Sequence, residues 1–193
     1  MDPGCPWAWQ AARWLRDLRD RDLFGIEWKL FSLEVNASDT DADFWDQTRR
    51  FSEAHVSLAL TRREGGNQAF EDLYIALGHR LHDQKRDMSP EILKEAASDL
   101  ELGDLVERAV ADPRLPHEVV GEHQAARARS VFGTPTLCLE DSKVLYGPIL
   151  PLAPVGDDAL EWWTHIRWLL ERPDFFELKR WPRDIKPGVS AVP

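Results

Sequence analysis

Asp2-Pro3-Gly4-Cys5-Pro6-Trp7-Ala8-Trp9 is the stretch on which the reading of this chain turns. Pro6 suits the first position of a helix, where its missing N–H costs nothing. Apolar residues follow at Trp7, Ala11, Trp14, Leu15 and Leu18, the stripe of an amphipathic helix. The helix therefore begins at Cys5, which sits among unpaired backbone N–H groups and the positive end of the macrodipole. Such a place favours a thiolate and predicts a thiol pKa well below the free value of about 8.5. The bland alternative is a cysteine near a fraying terminus with no task. Proline directly after it and a tryptophan-rich first turn favour the reactive reading.

A second stretch lies far downstream, at Gly133-Thr134-Pro135-Thr136. A proline entering a strand cannot donate to the ladder, and a cis bond there would turn its neighbours' polar groups outward. Alone, Thr-Pro reads as a turn. Paired with an N-terminal Cys-Pro-Trp helix it says more.

Between the two, the period changes twice. Ile26 to Leu33 alternates and then turns apolar, predicting a half-buried strand, and Asn36 opens a polar loop. From about Asp43 to Leu115 the pattern is helical, with Gly65-Gly66 predicted to stop one helix and Phe70, Leu73, Tyr74, Leu77 and Leu81 striping the next. Ser89-Pro90-Glu91 reads as a helix cap, Leu105, Val106 and Val110 as a short helix, and Val119 to Val131 as the last of the block. Thr136–Leu139 and Lys143–Tyr146 then predict a tight hairpin, and a final helix runs from Asp158 to Glu171.

Composition bounds what this arrangement does. The 193 residues make roughly one domain at about 150 residues each, enough for one real core. The formal charge of −10 argues against nucleic acid or an anionic membrane surface as partner, since phosphates demand a basic face. No apolar run approaches the ~18 residues of a membrane span, no signal-peptide layout is visible, and the expected location is the cytoplasm. Two cysteines, Cys5 and Cys138, are too few for a disulfide scaffold or a thiolate metal cluster. Cys138, in an apolar run, is expected to be a buried structural thiol. No metal site is expected, because His79 and His82, three residues apart, stand in no standard ligand pattern. His55, on an apolar stripe, reads as a satisfied core histidine. No glycine-rich nucleotide loop appears.

With Cys5-Pro6-Trp7 and Gly133-Thr134-Pro135-Thr136 in one chain, the sequence resembles the DsbA-like branch of the thioredoxin superfamily. Within it, the chain looks most like the actinobacterial mycothiol-dependent nitroreductase group. The resemblance extends through Arg13-Trp14-Leu15, Ser32-Leu33, Leu73-Tyr74, Gly78-His79-Arg80-Leu81-His82, Tyr146-Gly147-Pro148 and Phe175 to Arg180. It implies an α/β fold, a thioredoxin-like sheet with an inserted helical domain. Residues 1–36 and 130–181 would form the thioredoxin-like domain, 37–129 the insertion and 182–193 an irregular tail. It implies that Pro135 is cis and faces Cys5 across a substrate groove.

Two departures follow. Where relatives often carry Cys-Pro-Trp-Cys, this chain has Ala8, so Cys5 has no resolving thiol in the motif and needs a second small thiol instead. In the family a strand interior to the sheet also precedes the cysteine. Only four residues precede Cys5 here, and the first strand is expected to be missing. Pro6, Trp7, Ala8, Asn36, Trp45, His82, Thr134 and Pro135 are the expected substrate- and thiol-binding residues around the nucleophile Cys5. For Asn36, Trp45 and His82 the alternatives are a capping loop, core packing and a solvated face.

The resemblance implies a thiol-dependent oxidoreductase that reduces a small nitro or disulfide compound, with mycothiol or glutathione as co-substrate; a homodimer is one assembly open to it. Two other readings stand beside it. One is a kappa-class glutathione-transferase-like or isomerase-like enzyme. The other is a thioredoxin-fold binding module whose catalysis has lapsed.

Overall fold

The computed structural model describes residues 1–37, 51–139, 143–178 and 186–188. Its first helix, α1 (Pro6–Arg19), starts where the sequence places it. The Cys5 side chain caps it by accepting the Ala8 N–H, and Pro6 occupies the first turn. The helix is central: Ala8, Trp9, Gln10, Ala11, Ala12, Trp14, Leu15 and Leu18 are all buried.

The helices that follow are α2 (Leu33–Ala37), α3 (Ser52–Gly78), a π-helical turn (His79–Asp83), α4 (Pro90–Asp99), α5 (Leu105–Ala111) and α6 (Leu115–Ala128). Strands β1 (Thr136–Cys138) and β2 (Val144–Tyr146) pair antiparallel, with Leu137 opposite Leu145, and α7 (Gly156–Leu170) ends the described elements. Helix α3 packs against α4, α5 and α6, while α1 packs against α7. The predicted hairpin is present, and its turn at 140–142 lies outside the described residues. So does Trp45, with all of 38–50, and of the expected tail only 186–188 are described.

The segment predicted as a strand, Ile26 to Leu33, departs from expectation. Among the described residues, 26–32 form no ladder with a strand, and Leu33 already begins α2. Side chains take the place of a neighbouring strand. Asn67 Oδ1 accepts the Trp28 N–H at 2.8 Å, Asn67 Nδ2 donates to the Ile26 carbonyl at 2.8 Å, and Glu122 Oε1 accepts the Leu30 N–H at 2.7 Å. Buried backbone groups must find partners, and here α3 and α6 supply them. On the other side Met1 pairs with the segment, donating to the Lys29 carbonyl at 2.5 Å and accepting the Phe31 N–H at 2.9 Å. That alternation is the hydrogen-bond pattern of a parallel strand one residue long.

The stop expected at Gly65-Gly66 is present as a break: Gly66 leaves the helical dihedrals (φ 76°, ψ −165°), and a second helical run of α3 follows it. Two smaller expectations need correction. Asn36 lies within α2 and not in a loop. Helix α6 begins at Leu115, ahead of Val119, because Pro116 sits in the first turn, where proline is tolerated.

Two contacts fix α1 in place. The buried Glu71 carboxylate on α3 accepts Arg16 Nε at 2.6 Å and Trp28 Nε1 at 2.6 Å, and also binds Arg19. Trp14 Nε1 donates to the Ala159 carbonyl of α7 at 3.0 Å. Helix α1 is thereby held between the helical block and α7.

Candidate active site

Cys5 enters its helix from an extended backbone (φ −89°, ψ 109°). Its Sγ accepts the Ala8 N–H at 3.4 Å and donates to the Thr134 carbonyl at 3.5 Å. The Thr134–Pro135 peptide is cis. The residues that the sequence singles out at 5 and at 134–135 therefore meet, although they are 129 apart in the chain.

The ionisation of Cys5 runs against expectation. The thiol is only 5% exposed. Burial pushes it above its ordinary range, against the pull of Thr134 and of the Ala8 and Trp7 N–H groups, while the Asp2 charge adds to the rise. Helix-end amides favour a thiolate, but they do so here in a site where removing water costs the anion more. Cys5 at neutral pH is a thiol.

The other predicted site residues fall into two groups. Pro6, Trp7 and Ala8 form the first turn after Cys5, with Ala8 buried and Trp7 half-buried. His82 is half-buried: its Nε2 bonds the Pro3 carbonyl at 2.8 Å and its ring lies 6.0 Å from that of Trp9. Burial lowers its basicity, so it is not the solvated histidine that its helical position suggests. Asn36 is held elsewhere, its Oδ1 accepting Arg127 Nη1 at 3.2 Å. Cys138 is exposed on β1 and free, the opposite of the buried structural thiol expected. In a two-stranded hairpin one face of each strand is left to solvent, and Cys138 points that way.

Sequence reasoning missed the groups under the cysteine. Asp2, buried, accepts the Gly4 N–H at 2.7 Å, the Leu33 N–H at 2.8 Å and His55 at 2.8 Å. Burial would raise its carboxyl, but the charge and hydrogen bond of His55 with those two amides hold it below the usual range. Tyr74 is buried nearby with its hydroxyl unpartnered among the described residues. His55 was legible as a buried histidine, though only its Nε2 is hydrogen-bonded among the described residues; its partner, 53 residues away, was not legible.

The site thus presents one buried cysteine at the start of a helix, against the Thr134 carbonyl, with no second cysteine in its turn. In comparison with known families, residues 4–180 match the family model described as mycothiol-dependent nitroreductase Rv2466c, and the chain belongs to that family. This places it in the oxidoreductase class. It is also 29% identical over 183 residues to the uncharacterized protein Rv2286c of Mycobacterium tuberculosis (strain ATCC 25618 / H37Rv), covering 93% of this chain and 79% of that protein. Among the described residues no helix is long and apolar enough to cross a membrane.

Proposed function

We propose that the chain is a monothiol oxidoreductase in which Cys5 shuttles electrons from a small thiol, mycothiol in the first instance, to a small nitro or disulfide substrate. The observation that carries this is the Cys5 sulfur at the start of α1, hydrogen-bonded to the Ala8 N–H and to the carbonyl of cis-linked Thr134. In this reading the chain has a thioredoxin-like framework, with 37–129 inserted as a helical domain. Trp7 and Pro135 would border the groove, and Trp45 and His82 would line it from the insertion.

The cycle needs no second protein thiol. Cys5 loses its proton and attacks a disulfide R–S–S–R′, forming Cys5–S–S–R and releasing R′–S⁻, which is protonated. A small thiolate R–S⁻ then attacks the R sulfur of the mixed disulfide, releases Cys5, which is reprotonated, and leaves R–S–S–R. With a nitro substrate, Cys5 and one small thiol supply two electrons and two protons, giving the nitroso compound, water and the mixed disulfide Cys5–S–S–R, which a second small thiol resolves. Ala8, where relatives often carry the resolving cysteine, makes the small thiol the resolving partner.

A second reading has Cys5 activate a bound thiol without covalent exchange, as in kappa-class glutathione-transferase-like enzymes. The burial-raised thiol favours it, because a neutral S–H can donate to a bound thiolate. One experiment separates the two: intact mass of the reduced protein and of Cys5→Ser after exposure to mycothiol disulfide or glutathione disulfide at pH 7. A single adduct on the wild type, absent from Cys5→Ser and removed by free thiol, is the expected result. No adduct on a folded chain would sink thiol exchange in favour of the second reading.

A further inference from the structure

Asp2 and His55 are side chains of opposite sign potential, both 2% exposed, placed under the turn that delivers Cys5 to its helix. Asp2 organises that turn. Its Oδ1 takes the Gly4 N–H, and its main-chain carbonyl takes the Cys5 N–H at 3.2 Å. Its Oδ2 takes the Nε2–H of His55 at 2.8 Å. The other ring nitrogen, Nδ1, is buried without a hydrogen-bond partner among the described residues and faces Glu34 Oε2 at 3.9 Å. An imidazole with one nitrogen on a carboxylate and the other facing a second carboxylate is a place for a second proton. With a proton on Nδ1 the Asp2–His55 pair is neutral; without it, the pair carries one negative charge. Inside the protein that charge is weakly screened from its neighbours.

We propose that Asp2 and His55 are positioning residues that set the ionisation of Cys5, His55 switching the charge of the pair and Asp2 presenting it to the cysteine turn. The inference rests on the reading of Cys5 as nucleophile. Asp2 opposes the Cys5 thiolate. Neutralising the pair removes that opposition, so Cys5 ionises more readily while His55 holds its second proton. The other titratable groups facing the cluster from the described elements are the Met1 ammonium, Glu34 on α2, Tyr74 on α3 and His82 of the π-helical turn. Burial keeps Tyr74 protonated and His82 neutral at neutral pH, and pushes the Met1 ammonium toward its neutral form.

The test is the pH profile of Cys5 alkylation by iodoacetamide, read by intact mass in a Cys138→Ser background, for the otherwise native chain, Asp2→Asn and His55→Gln. The native profile is expected to show two ionisation steps, one from the histidine and one from the thiol, as coupled groups do. His55→Gln retains a donor for Asp2 but no charge, and should erase the lower step. Asp2→Asn should move the thiol step down by about one pH unit, about tenfold in rate below the midpoint. A merely structural pair would move both variants the same way or neither, and either result overturns the inference. If a variant is unfolded by circular dichroism, the native profile decides: two steps support the inference, one overturns it. A native Cys5 that alkylates at no pH would overturn the nucleophile reading itself, and this inference with it.

Discussion

At Cys5 two consequences of one location oppose each other. The start of a helix supplies N–H groups that favour the thiolate, and the same packing that aims them excludes the water that would solvate it. Burial is the larger effect. The thiol therefore depends on what its immediate neighbours carry. A close approach at the other end of α1's first turn is just as exacting. A Cβ added to Gly78 would stand 2.5 Å from the Trp9 ring, well inside any relaxed contact. Trp9 is fully packed, its Nε1 donating to Asp83 at 2.9 Å, so the ring has nowhere to go. Gly78→Ala is expected to cost about 1–3 kcal/mol. A lower urea midpoint at unchanged slope would register this; an unshifted midpoint would show that α1 and α3 can separate freely.

Among the elements, the 26–32 segment shows how a strand pattern can be satisfied without a sheet. Its alternation was legible, and one face is buried as the period requires, with Trp28 and Leu30 in the core. What the pattern could not say is which groups would take its hydrogen bonds. Asn67 and Glu122 do so from two helices, and nothing in a period of two identifies a distant amide or carboxylate as the partner. Asn67→Ala would leave the Trp28 N–H and the Ile26 carbonyl unpaired together. The expected loss is about 2 kcal/mol in chemical denaturation, with the packing of α3 intact by circular dichroism. A loss below about 0.5 kcal/mol would mean that water replaces the amide at both groups. The break at Gly66 belongs to the same scale. Its position was readable from Gly65-Gly66, and the second helical run begins on its far side with Phe70, Leu73, Tyr74 and Leu77 facing the core.

Across the whole molecule, buried carboxylates tie the parts together and set the response to acid. Burial alone would raise the Glu71 carboxyl, but the hydrogen bonds of Trp28, Arg19 and Arg16 outweigh it and hold it below the usual range; Asp2 is likewise held down. A carboxyl lowered in the folded state contributes stability that is present above its unfolded pKa and lost as pH falls through its folded one. The melting temperature should thus be flat above about pH 5 and fall steadily below about pH 4. Glu71→Gln should melt lower at neutral pH, because it leaves Arg16 and Arg19 without their carboxylate, and should show a shallower acid slope. Parallel slopes in scanning calorimetry would remove Glu71 as a source of the acid response. By itself the sequence determined the helix that begins at Cys5, the absence of a second cysteine at Ala8, the helical block, the hairpin and the Thr134-Pro135 step. Each is a local pattern of caps, periods and turn residues, whose causes lie within a few positions of one another. Only the tertiary structure decided that Thr134 meets Cys5, that Asp2 and His55 pair beneath it, that Cys138 faces outward and that the thiol is held protonated. Those outcomes depend on burial and on partners tens of residues apart, and burial is a property of the packed molecule, not of any stretch of its chain.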